Sequence, residues 1–280
     1  MGIQVNDGSK CIDGSIVCDS KVDGTRRSPT YSLFTANNDA ICLSWIGTTW
    51  PNDYKYSALI GNWAETCSSN YGVSHATWYW SDVPIQVKGG TKQMSKCAWI
   101  DANGDQPSTG IQVHWTAFDL RDGDARDPSY YCNNNPPLYW HTGDDPSTGI
   151  FWGRKRDLFK NFPSTFSSAD DGQTLKDQKR QEDDNAGKIS DRLSNDLVKS
   201  FFTDHSASYL CEAPGSAGPS FVSYPERHFC FMPTKTVYPF CDDVPLGLCW
   251  NDDLGLVIPK LVDILVPVMN FTRVTVWGDA

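Results

Sequence analysis

Ten cysteines limit what this chain can fold into more than any other feature. They stand at Cys11, Cys18, Cys42, Cys67, Cys97, Cys132, Cys211, Cys230, Cys241 and Cys249. The count is even and the spacings are scattered. No Cys-x-x-Cys and no Cys/His cluster at zinc spacing occurs, so the pattern predicts five disulfides and no metal site. Five bridges imply an oxidising compartment. Spacing leaves the pairing open, although Cys11–Cys18 and Cys241–Cys249 close loops short enough for local bridges. The opening Met1-Gly2-Ile3-Gln4 has no apolar signal core, and we read it as a mature secreted chain with an added start methionine. Asn270-Phe271-Thr272 is the one N-glycosylation sequon, with Asn270 as acceptor. The most apolar run, 254–268, is interrupted by Pro259, Lys260, Asp263 and Pro267 and is too short to span a bilayer.

Between the cysteines the dominant period is two. Cys97-Ala-Trp-Ile-Asp101 leads through Asn103, Gly104 and Asp105 into Ile111-Gln-Val-His-Trp115, which reads as strand, acidic turn, strand and predicts a central hairpin. Ile111, Val113 and Trp115 share one face, and His114 points to the other. Residues 40–50 predict a strand with Ile41, Leu43 and Trp45 on one face. In Trp78-Tyr79-Trp80 the two indoles share a face, and Pro84 predicts an edge or a bulge. Short strands parted by Gly, Pro and Asn turns predict a mainly β fold, a disulfide-stabilised sandwich or barrel. Three regions follow: an aromatic-rich β region over 1–153, a charged cysteine-free insert over 154–206, and a Cys/Pro-rich β region over 207–280 that completes the same domain. Residues 3–35 predict an N-terminal hairpin tied by Cys11 and Cys18. The insert carries dibasic pairs at 154–156 and 179–180, read as a solvated loop. It also holds Ile189, Leu193, Leu197, Val198, Phe201 and Phe202 at helical spacing, which predicts an amphipathic helix over 187–203. Residues 207–250 are expected to be irregular and held by bridges, and the C-terminus to supply closing strands around 256–258 and 271–277.

A net charge of −10 argues against nucleic acid and against anionic membrane surfaces as partners. No nucleophile elbow, zinc-protease helix or phosphate loop is present. Asp101 to Asp105 resembles the start of a calcium loop, but Gln106 and Gln112 stand where that loop needs Gly and Glu, so an Asx-type turn is expected there. The aspartates at 82, 101, 105, 119, 144 and 145 show no pairing that would mark a glycosidase. Of the histidines at 75, 114, 141, 205 and 228, His114 and His141 are the candidate hydrogen-bond donors of a site, against the plainer reading of structural or surface imidazoles.

Aromatic residues stand out instead. Of eleven tryptophans, nine precede the charged insert. Some are expected in the core, and the rest to line an apolar cleft with a few polar tips. The candidate walls are Trp50, Tyr54, Tyr56, Trp63, Trp78, Trp80, Trp140 and Trp152. The ligand expected there is a small apolar or aromatic molecule, or a glycan, with no cofactor. Oligomeric state is left open.

The run Asp39-Ala-Ile-Cys-Leu-Ser-Trp45, Gly61-Asn-Trp63 with Cys67, Trp78-Tyr-Trp-Ser81 and Cys97-Ala-Trp-Ile-Asp101 with Gly110-Ile-Gln-Val-His114 resembles a family of secreted ascomycete proteins of unassigned function. The resemblance covers roughly residues 35–120 and recurs faintly at Phe229-Cys-Phe-Met232 and Tyr238-Pro-Phe-Cys241. It carries no residue roles. In general character the chain is also similar to fungal hetero-Diels–Alderases of tropolone-sesquiterpenoid pathways, which implies a cofactor-independent cycloaddition enzyme. Such a reaction needs no nucleophile or metal, only two partners held in a reactive pose and a hydrogen bond to a carbonyl. The other expectation is a glycan-binding lectin or a secreted effector without catalysis.

Overall fold

The computed structural model describes residues 30–36, 40–50, 53, 55–87, 89–102, 106–118, 126–132, 137–142, 193–261 and 265–279. Residues 3–29 of the predicted hairpin over 3–35, the Cys11–Cys18 bridge, Tyr54, Trp152 and most of the charged insert lie outside them; residues 31–35 form a strand.

The chain is mainly β, as predicted, with strands in five sheets. In the first, β1 (Tyr31–Thr35), β7 (Gly110–His114) and β8 (Leu138–His141) pair antiparallel in the order β1-β7-β8. In the second, β2 (Ile41–Leu43), β6 (Lys92–Ile100) and β5 (Trp78–Gln86) run β2-β6-β5. β3 (Ile46–Thr49) and β4 (Lys55–Ala58) form a hairpin. β9 (Asp196–Ser200), β10 (Ser220–Ser223), β11 (His228–Phe231), β12 (Thr236–Pro239) and β15 (Arg273–Trp277) build a five-stranded sheet, β12-β11-β10-β9-β15, in which β9 is parallel to both neighbours. β13 (Gly247–Asn251) pairs with β14 (Leu256–Lys260). Among the described residues three helices join them: α1 (Ile60–Tyr71), α2 (Pro128–Cys132) and α3 (Ala207–Glu212). No sheet closes on itself among the described residues.

Three expectations change. The predicted central hairpin is not one: β6 and β7 belong to different sheets, joined across the turn by the Asp101 amide donating to the Ser108 carbonyl at 3.0 Å. Alternation specifies a strand and its faces but not its partner, and each arm finds better-matched neighbours elsewhere. The predicted helix over 187–203 is, at 196–200, the strand β9. Leu197 packs into one core and Val198 into another, because β9 lies inside a sheet buried on both faces. Residues 207–250 are regular structure, α3 and four strands, with the prolines at turns and strand ends.

Other expectations hold. The register of β5 against β6 shifts between Trp80 and Pro84, a bulge. The strand over 40–50 is present but breaks at Ser44, and Trp45 is exposed. The closing strands are β14 and β15. Four disulfides form among the described cysteines: Cys42–Cys97, Cys67–Cys132, Cys211–Cys230 and the predicted local bridge Cys241–Cys249. They fit an oxidising secretory or extracellular environment. No helix among the described residues is long and apolar enough to cross a membrane.

The larger core runs from Ile46 to Met232 and joins the two halves of the chain. Rings with a polar tip fasten the junction. The Trp78 indole donates to the Pro214 carbonyl at 3.2 Å, Trp80 to Ser206 at 3.2 Å, Trp99 to Ala217 at 2.7 Å, and the Tyr79 hydroxyl to Pro219 at 2.9 Å. Four loop carbonyls thus accept from the rings, while the rings bury their area. Two close approaches need glycine: a Cβ on Gly61 would stand 2.0 Å from the Lys96 carbonyl group, and one on Gly218 (φ +152°) 2.5 Å from the Tyr79 ring.

A second core, on the other face of the five-stranded sheet, holds Leu197, Val222, Phe229, Phe231, Tyr238, Trp250 and Val257. Above it Asp252 accepts from Lys199 Nζ at 2.7 Å, Tyr224 Oη at 2.7 Å and Trp250 Nε1 at 3.1 Å. These bonds hold its carboxyl below the usual range against the opposing effect of burial.

Candidate functional site

The predicted walls do not converge. Trp78, Trp80, Trp140 and Tyr56 are buried in the larger core rather than facing a cleft. Trp50 and Trp63 are half-buried; Trp50 lies 4.6 Å from the Tyr56 ring, and Trp63 lies 4.4 Å from Tyr131. For Trp78 and Trp80 the reason is the junction just described: where two halves meet over loop carbonyls, these indoles serve as packing and as donors at once.

The two predicted donors do share a surface. On the first sheet Ile111, Val113, Leu138 and Trp140 fill the core face. The register pairs Tyr31 with His114, Leu33 with Gln112, Gln112 with Tyr139 and Gly110 with His141. The opposite face therefore carries Tyr31, Leu33, Gln112, His114, Tyr139 and His141. Gln112 is buried at its centre and the others are half-buried, so the face is a recessed shelf. The His114 ring stacks on Tyr31 at 4.3 Å and its Nε2 lies 2.8 Å from Thr116 Oγ1. His141 Nε2 lies 3.2 Å from Gln112 Oε1, with the Tyr139 ring edge-on at 4.6 Å. With the amide oxygen as acceptor, that nitrogen carries the proton and Nδ1 stays an acceptor.

Burial lowers both imidazoles, His114 in direction and His141 to about 4. Burial also raises the Tyr31 hydroxyl, with Tyr130 adding to it. At neutral pH the shelf is therefore uncharged at these groups and offers imidazole, amide and phenol contacts beside flat rings. The histidines sit at opposite ends of β7/β8, four residues apart, about 14 Å at ~3.4 Å per residue. They cannot hand a proton to one another across a single bond; an extended ligand could touch both.

Sequence reasoning missed another cluster. Lys96 stands opposite Trp80 across β5/β6. Its ammonium lies 4.9 Å from the Trp80 ring, 5.4 Å from Trp78 and 5.7 Å from Tyr209, and 3.4 Å from Glu65 Oε2. Tyr209 donates to the other Glu65 oxygen, and burial together with that carboxylate pushes its hydroxyl up to about 12. The lysine thus occupies the indole face that a ligand would need. Its place opposite Trp80 is visible only once the β5/β6 register is known.

His205, not among the candidate donors, is buried. It stacks on Trp80 at 4.9 Å, and its Nδ1 lies 2.8 Å from Ser200 Oγ. Burial lowers it to about 4, with the Asp204 charge opposing and Lys96 reinforcing. The folded value lies below the unfolded one, near 6.5. The unfolded chain therefore takes the proton first, and the stabilisation is complete above pH ~6.5 and drains away as pH falls towards 4. Between pH 7 and pH 4 the wild type should lose about 3 kcal/mol more than His205→Gln, read from urea unfolding at both pH values. Equal losses would show that His205 does not couple folding to protons.

Comparison with protein-family models, curated proteins and solved structures finds no match to this chain.

Proposed function

We propose that the protein is a secreted fungal binding protein that takes a glycan on the Tyr31–Gln112–His114–Tyr139–His141 shelf, without covalent catalysis. One observation carries the reading: flat rings and neutral hydrogen-bonding groups lie side by side on one recessed sheet face. Sugar rings present apolar C–H faces and hydroxyl edges, which such a surface complements. The disulfides support the secretory setting, and the resemblance to secreted ascomycete proteins supports the source. Screening on a glycan array, followed by calorimetry, tests it. Tyr139→Ala should weaken the captured glycan about tenfold, the worth of one lost aromatic contact near 1.4 kcal/mol. Gln112→Ala should do the same, because it also frees the His141 imidazole. Near-UV dichroism establishes that each variant is folded. Absence of any glycan binding, or binding indifferent to both substitutions, refutes the reading.

One observation favours cycloaddition as a second reading. An imidazole kept neutral by burial, such as His141, has one N–H to donate; here it would exchange the Gln112 Oε1 for a substrate carbonyl and polarise it without transferring its proton. Incubation with a quinone-methide precursor and an apolar alkene should then change adduct rate or stereochemistry, and His141→Ala should abolish the change. An unchanged product distribution with the wild type removes this reading.

A further inference from the structure

The five-stranded sheet ends in β15, an edge strand with no second strand partner among the described residues. Native edges are usually blunted by a lysine, a proline or a bulge. β15 has none of these: it reads Arg-Val-Thr-Val-Trp, and its one charge, Arg273, is turned onto Asp196. Val274 and Val276 are exposed. The approach to the strand is also apolar and open, with Leu265 and Val268 each 94% exposed and Val266 and Leu261 exposed as well. An apolar stretch beside an open edge is a liability for self-association unless something covers it.

The sequon lies in the middle of this stretch. Asn270 and Thr272 are exposed, whereas Phe271 between them turns inward onto Phe229 at 6.1 Å and Trp250 at 6.2 Å. The Thr272 amide donates to the Asn195 carbonyl at 2.8 Å, so the backbone is pinned while the acceptor amide stands clear. Val268 is two residues away and Val274 four, within about 7 and 14 Å of chain at ~3.4 Å per residue. We infer that Asn270 carries an N-linked glycan and that this glycan is the missing cover of β15 and its apolar approach. An attached oligosaccharide is bulky and hydrated, which is what blunting this edge requires. The inference needs secretion but is independent of what the shelf binds.

The test expresses the full chain through a eukaryotic secretory pathway. Digestion with peptide N-glycosidase should convert Asn270 to Asp in the peptide map. Asn270→Gln and Thr272→Ala each abolish the sequon, and Thr272→Ser preserves it. Both sequon-less proteins should self-associate in light scattering at concentrations where the wild type and Thr272→Ser remain at one unchanged mass, and should bind more of a hydrophobic dye. Circular dichroism establishes that all four are folded; if one sequon-less variant is not, the other decides. An unmodified Asn270 overturns the inference. So does a glycosylated wild type whose sequon-less variants keep the same mass and the same dye binding.

Discussion

Trp78→Ala should cost about 3–5 kcal/mol of stability, the range for emptying a fully buried indole site. The ring is enclosed by Trp80 at 5.7 Å and Tyr209 at 5.7 Å, with the Lys96 ammonium over its face. Its indole N–H serves the Pro214 carbonyl, and its own backbone bridges the same loop through the Gly215 carbonyl and the Ala217 amide, each at 2.9 Å. The substitution therefore opens a cavity where the two halves of the chain meet and removes one of two donors to the Pro214 carbonyl, which the Ser68 hydroxyl also serves at 3.3 Å. Trp78→Phe separates the two effects: it keeps most of the packing and loses one hydrogen bond, at roughly 0.5–1.5 kcal/mol, because the Ser68 hydroxyl still serves that carbonyl. Trp45→Ala, at an exposed indole, should stay within about 0.5 kcal/mol. Guanidinium unfolding midpoints at constant m-value give all three. If Trp78→Ala costs no more than Trp45→Ala, the tryptophans do not hold the halves together.

That role explains why the aromatic content was legible as unusual but misleading about purpose. A sequence shows how many rings there are and which face of a strand they share: Trp78 and Trp80 do lie together, and Tyr79 does turn away. It does not show that residues 206–219 return to lay their carbonyls over those rings, because that contact spans more than 120 residues. Excess indoles looked like the lining of a cleft; Trp78, Trp80 and Trp99 instead fasten two distant stretches of chain.

Helix and strand were confused for a similar reason. Leu197 and Val198 are adjacent apolar residues, which on a solvent-facing strand would put one in water. In β9 both are buried, one on each face, and the pair mimics the stripe of a helix. In the opposite sense α1 went unrecognised: Leu59 precedes it with no side-chain cap, and its first turn holds no acid. Gly72, left-handed at φ +67°, was the one end signal present. The shelf was half legible. Period two assigned His114 to the face opposite Ile111 and Val113, but only strand pairing brings Tyr31, Tyr139 and His141 beside it, from positions up to 110 residues apart.

Removing the Cys67–Cys132 bridge should cost about 4 kcal/mol, and removing Cys241–Cys249 about 2.5 kcal/mol, if closure entropy governs, since the separations are 65 and 8 residues. The longer bridge also has a local task. α2 is five residues long, too short to persist alone. It is held by Cys132 and by Tyr131, whose ring meets Trp63 at 4.4 Å and Phe118 at 5.2 Å. In Cys67→Ala/Cys132→Ala the Tyr131 ring contacts and its hydroxyl bond to the Ala117 carbonyl at 2.9 Å remain without the covalent tie, so amide exchange over 128–132 should accelerate more than the global loss requires. In Cys241→Ala/Cys249→Ala the β13–β14 pair keeps its ladder, and exchange should rise only around 241–249. Equal costs for the two double variants would show that loop length does not decide what each bridge contributes. Unchanged exchange over 128–132 would mean that the non-covalent contacts of α2 seat it without the bridge.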